Sequence, residues 1–94
     1  MKKVKKFEKL LQVDVDYSDK IDNITISGDF FIHPEDFIQK IEKMFLKKNE
    51  KEIEKLKQKI DKEIKNKKVM IIGFSVDNLV NLVLEGVKDE INNR

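Results

Sequence analysis

The chain has 94 residues, 40% of them charged and 39% hydrophobic, with 20 basic against 18 acidic side chains and a formal net charge of +2. This is one domain near the lower size at which a single core suffices, apolar enough to fold inside a heavily charged exterior. The lack of cysteine excludes disulfides, thiolate metal sites and cysteine-held iron–sulfur clusters. No segment reaches the roughly 20 apolar residues of a membrane span and residues 1–7 lack a signal peptide's hydrophobic run, so the cytoplasm is the expected location.

In chain order, residues 1–6 read as a basic flexible tail, four lysines with no turn chemistry. Leu11, Val13, Val15 and Tyr17 alternate with Gln12, Asp14 and Asp16, the period of a half-buried strand. Ser18-Asp19-Lys20 supplies turn residues, and Ile21 to Ile26 reads as the return strand of an antiparallel hairpin whose apolar face the following helices must cover. Gly28 marks a bulge or a close approach of other backbone. Phe30 and Phe31 follow, and neighbouring strand residues face opposite sides, so they enter one core together only if the chain kinks at Gly28-Asp29. Pro34, with Glu35 and Asp36 behind it, reads as the first turn of a helix running to about Leu46.

That helix places Phe37, Ile38, Ile41, Met44 and Phe45 on one side. A second, about Glu50 to Lys65, carries a narrow stripe of Ile53, Leu56, Ile60 and Ile64, with Asp61–Lys65 and Glu63–Lys67 as i,i+4 ion pairs. Val69 to Ile72 reads as a short buried strand ended by Gly73. Ser75 caps a last helix with Asp77 in its first turn. Its wide stripe of Val76, Leu79, Val80, Val83, Val87 and Ile91, broadened by Leu82 and Leu84, predicts the most buried helix, in which Gly86 allows close packing. The expected fold is α+β: a small antiparallel sheet of two to three strands packed against three helices.

Formal charge runs in blocks of +4, −6, +6 and −2 over residues 1–6, 7–42, 43–68 and 69–94. Such blocks are ordinarily solvated faces. Their functional reading is an electrostatically matched partner surface that speeds docking.

Chemistry-bearing constellations are sparse. His33, the one histidine, sits at a helix start without a second histidine, cysteine or serine partner, so capping or packing outweighs proton transfer. Asp29 suits a turn hydrogen bond better than a cation or a partner's amides. Asp14, Asp16, Asp19 and Asp22 lack the glycine-centred loop of a calcium site. The three glycines build no phosphate loop. Nucleic-acid binding by the lysine-rich helix is disfavoured, because its charges are interspersed with acids and Arg94 is the sole arginine.

The run Ser27-Gly28-Asp29-Phe30-Phe31, followed by Pro34-Glu35, resembles the C-terminal accessory domain of bacterial-type lipoate-protein ligases. The resemblance extends to the strand Leu11 to Tyr17, the charged stretch after Asn49, and Ile71-Ile72-Gly73 ahead of Ser75. It covers nearly the whole chain, with residues 7–94 as the accessory domain. One departure is Lys47-Lys48 after the first helix, where the family often has glycine.

What the resemblance implies is a stand-alone small subunit of a two-chain ligase of the kind found in some archaea. The subunit would have no active site and bind no cofactor by itself. It would dock as a heterodimer on a large catalytic subunit that handles lipoate, ATP and Mg, and be needed for lipoyl-AMP formation during protein lipoylation. Lipoyl acceptor domains would then be indirect partners. Candidate interface residues are Asp29, Phe30, Phe31 and His33, chosen for surplus apolar surface. Two alternatives stand beside this reading: an adaptor binding the lipoyl acceptor domain, and a small basic nucleic-acid-binding protein.

Overall fold

The computed structural model describes residues 1–93, in the order β1 (Lys2–Lys6), β2 (Leu10–Tyr17), β3 (Ile21–Gly28), β4 (Phe31–His33), α1 (Phe37–Phe45), α2 (Glu50–Lys67), β5 (Met70–Ile72) and α3 (Val76–Asn92). The architecture is the expected α+β, with two antiparallel sheets instead of one: β1-β2-β3 and the ribbon β4-β5.

Strand β2 is the centre of the larger sheet. Leu11, Val13 and Val15 on its inner face are fully buried, which is what the alternation requires. Helix α3 lies across β2 and β1, α1 lies on β3, and α2 packs on the far side of both helices. Gly86 makes the α3–β2 approach possible, since a Cβ there would come within 2.8 Å of Val15 Cγ1. The shared core draws Ile24 and Ile26 from β3, Phe37, Ile41 and Phe45 from α1, Ile53, Leu56 and Ile60 from α2, and Leu79, Val83 and Val87 from α3. Helix α3 is indeed the most buried.

The reading of residues 1–6 as a flexible tail is corrected: Lys2–Lys6 is the edge strand β1, paired with β2 from Lys2↔Asp14 to Lys6↔Leu10. Lysine on an edge strand keeps it soluble and discourages pairing with other chains. It also finds partners here. The Lys3 ammonium donates to the Asp89 carboxylate on α3 at 2.8 Å, a bond that raises the lysine above its ordinary range. Lys5 Nζ lies 5.8 Å from the centre of the Phe7 ring, within cation–π reach.

Helix α1 starts later than expected. Pro34 to Asp36 form a turn, closed by a 3.1 Å bond from the Phe37 amide to the Pro34 carbonyl, and the helix begins at Phe37 with Asp36 in the cap position making no side-chain cap bond. Both later helices are capped as boxes. Asn49 and Glu52 exchange bonds ahead of α2, and Ser75 and Asn78 do so ahead of α3.

The Asp61–Lys65 and Glu63–Lys67 pairs are not among the ion pairs formed between described residues. Two other residues of α2 pair across to α3, as Lys57–Asp77 and Lys88–Glu50. The Asp77 carboxylate, hydrogen-bonded to Lys57, raises that lysine as well.

The departure at Lys47-Lys48 also has a structural account. Lys47 adopts φ +63°, the left-handed region that glycine enters freely. Two backbone bonds to one residue hold it there, from the Lys47 amide to the Ile21 carbonyl at 2.8 Å and from the Ile21 amide to the Lys48 carbonyl at 2.9 Å.

Candidate functional site: the outer face of the short ribbon

Gly28 ends β3 at φ +147°, and a Cβ there would sit 2.1 Å from the Leu10 carbonyl oxygen. That oxygen accepts the Asp29 amide at 3.0 Å, so the chain turns away from the large sheet at this point. The expected close approach of other backbone is therefore what Gly28 serves. After the turn, β4 pairs with β5 in the register Phe31↔Ile72, Ile32↔Ile71 and His33↔Met70.

The pleat separates the side chains by face. Ile32 is buried beneath the ribbon, with Ile71 half-buried opposite it. Phe31, His33, Met70 and Ile72 occupy the other face as two directly opposed cross-strand pairs. Phe31, Met70 and Ile72 are exposed to 49%, 56% and 47%, large values for such apolar side chains. They are three of the five large hydrophobic residues left exposed among the described residues, the others being Val4 and Leu10.

The kink also sorts the two phenylalanines. Phe30 is half-buried and meets the buried Phe74 edge-on, with ring centres 4.9 Å apart and an interplanar angle of 86°. Gly73 makes room for it, since a Cβ there would lie 3.0 Å from both Phe30 Cβ and Lys9 Cβ. Of the four residues singled out from the sequence, the structure thus brings Phe31 and His33 together on one face. It leaves Asp29 exposed at the turn and sends Phe30 into packing.

Met70 and Ile72 were not legible as surface residues. Val69 to Ile72 reads as a buried strand, and that reading is corrected: Met70 and Ile72 are exposed, while Val69 and Ile71 are half-buried. A ribbon of three-residue strands covers one face only. The usable signal was the match in length between Phe31-Ile32-His33 and Met70-Ile71-Ile72.

Beyond the His33 end of the ribbon, a shallow groove of about 410 Å³ is lined by Pro34, Asp36, Phe37, Gln39, Lys40, Lys43 and Lys67. It carries three lysines against one acid and joins the ribbon through Pro34. At the opposite end Phe7, Glu8, Ile72, Phe74 and Asn78 line a hollow of about 320 Å³. Among the described residues no group of three or more His, Cys, Asp or Glu side chains is placed to hold a metal ion. Among the same residues no helix is long and apolar enough to cross a membrane. The arrangement is thus an apolar surface with a basic margin, which suits contact with another macromolecule.

Compared with protein-family models and with curated proteins, the sequence matches none. Among solved structures it is similar to a chain from an archaeal lipoylation system, described as a bi-partite lipoate protein ligase and its E2 lipoyl domain from Thermoplasma acidophilum. The match has a TM-score of 0.66 and 30% sequence identity, and it covers 87% of this chain and 93% of that one. Two chains thus share one fold over most of their lengths and 30% of their aligned residues, and the chain belongs to the family of small accessory subunits of bi-partite lipoate-protein ligases.

Proposed function

We propose that this chain is the non-catalytic accessory subunit of a two-chain, cytoplasmic lipoate-protein ligase. It docks on the large catalytic subunit and is needed there for formation of lipoyl-adenylate from lipoate and ATP. The observation that carries the reading is the 30% identity, over 87% of this chain, to a chain of a bi-partite ligase system. An accessory role in lipoylation is what that similarity supports directly. The step it serves is argued from chemistry. An acyl-adenylate is destroyed by water, so a second body closing over the large subunit's cleft helps by ordering the substrate loop and excluding solvent. In this reading lipoate, ATP and Mg stay with the large subunit, and the lipoyl acceptor domain meets the pair afterwards.

The test is pyrophosphate release from ATP and lipoate by the large subunit, with and without this chain. Stimulation that saturates near an equimolar ratio is expected. A folded chain that gives none overturns the reading, and tight binding to the acceptor domain alone would then point to an adaptor.

A further inference from the structure

The larger sheet carries guards at both of its edges. The outward amide of Ile26 on the free side of β3 is taken by the Glu42 carboxylate at 2.7 Å, Ile21 on the same side is paired with Lys47 and Lys48, and β1 is lined with lysines. These are devices against strand pairing with copies of the same chain. The outer face of β4–β5 has none of them. Phe31 and Ile72 stand opposed, Met70 stands beside them opposite His33, and all three apolar side chains are exposed. On a chain that is 40% charged, such a face marks a contact surface. Phenylalanine and methionine are also side chains that interfaces favour over the rest of the surface.

Resting on the function proposed above, we propose that this face is where the large ligase subunit docks. The surface consists of Phe31, Met70 and Ile72, extended at the His33 end by the groove of Lys40, Lys43 and Lys67. The occupant is the heterologous subunit that a bi-partite ligase implies, and the three lysines beside the apolar face call for acidic complementarity in it. Its chemistry follows from this surface: an apolar patch to cover the ribbon, flanked on one side by carboxylates that meet the three groove lysines. The apolar part supplies residence time, and the lysines supply orientation and a salt-dependent association rate.

The experiment measures the dissociation constant of the full-length chain and the large subunit by calorimetry, with sedimentation of each protein alone. Ile72→Ser and Met70→Ser are each expected to weaken the complex at least about thirtyfold while melting within about 2 °C of the parent. Lys43→Glu is expected to weaken it about tenfold and to flatten its salt dependence. Val4→Ser, an equally exposed apolar residue on β1, should leave binding unchanged. If the parent binds and both ribbon variants bind as tightly, docking lies elsewhere and the proposal is overturned while the subunit function stands. If the parent does not bind the large subunit, the functional reading falls and the docking proposal with it. If the chain alone is a dimer that Ile72→Ser dissociates, the face belongs to a second copy and the proposal is overturned.

Discussion

The Glu42 carboxylate on α1 accepts the Ile26 amide of β3 at 2.7 Å, so a helix side chain supplies the bond that a neighbouring strand would otherwise give. Ile26 is 5% exposed, and its amide has little access to water. Glu42→Ala should therefore cost about 1–3 kcal/mol in urea unfolding, the range for leaving a buried donor unpaired. Glu42→Gln, which keeps an acceptor, should cost less. Equal loss in both variants would mean that the charge matters and not the bond.

Gly28→Ala should be among the most damaging single changes in the chain. At φ +147°, with the Leu10 carbonyl oxygen 2.1 Å from the new carbon, neither backbone strain nor contact can be relieved without opening the β2–β3 pairing. A loss of about 2–4 kcal/mol is expected from denaturant midpoints at constant m value.

Lys47→Gly should stabilise. The lysine holds φ +63° against a penalty of about 1–2 kcal/mol for a side chain in the left-handed region, partly offset by the greater freedom glycine has when unfolded. A net gain of about 0.5–1 kcal/mol in thermal or urea unfolding is expected. No gain would show that glycine's greater freedom in the unfolded chain cancels the relieved strain, since the backbone bonds to Ile21 are kept in both chains.

Phe30 and Phe31 should respond oppositely. Phe30→Ala removes the edge-on contact with Phe74 and should cost about 1–3 kcal/mol, whereas Phe31→Ala, at a residue 49% exposed, should stay within about 0.5 kcal/mol of the parent. Parallel thermal melts of the two variants decide it.

Alkaline pH should weaken the fold through two lysines. Lys3, hydrogen-bonded to Asp89, and Lys57, hydrogen-bonded to Asp77, are both raised above the ordinary lysine value of 10.5. A raised folded value means that the pair's contribution is complete below the unfolded value and is lost as pH climbs through the folded one. Melting temperature should accordingly fall above pH 10.5, and Lys3→Met should show a shallower fall over that window. An identical slope in the variant would remove Lys3 from the account.

How far the sequence could be read depended on whether the signal was local. Strand β2 was legible because Leu11, Val13, Val15 and Tyr17 alternate, and α3 because Ser75 and its apolar stripe lie in one stretch. Edge strand β1 was not, since Lys2 to Lys6 become a strand only by pairing with Leu10 to Asp14 and by Lys3 reaching Asp89 on the far helix. The ion pairs that α2 does form were missed for the same reason. Lys57 and Glu50 had partners on α3 that spacing along one helix does not reveal. Among the candidate site residues, Phe31 and His33 were reachable from the aromatic pair, but which phenylalanine turned outward depended on Phe74, and Met70 and Ile72 depended on a pairing across two helices.

That pairing gives the exposed ribbon a property of its own. Its two strands, Phe31–His33 and Met70–Ile72, are brought together only after α1 and the whole of α2 have run out and back. Neither strand has the other as a sequence neighbour, so a short peptide or a truncated chain carries half a surface. By mass action, a partner that binds this surface binds only completed molecules and adds its own binding free energy to the stability of all the others. A partner docking there would thereby sort folded copies from damaged ones, since a clipped chain presents at most half of the surface.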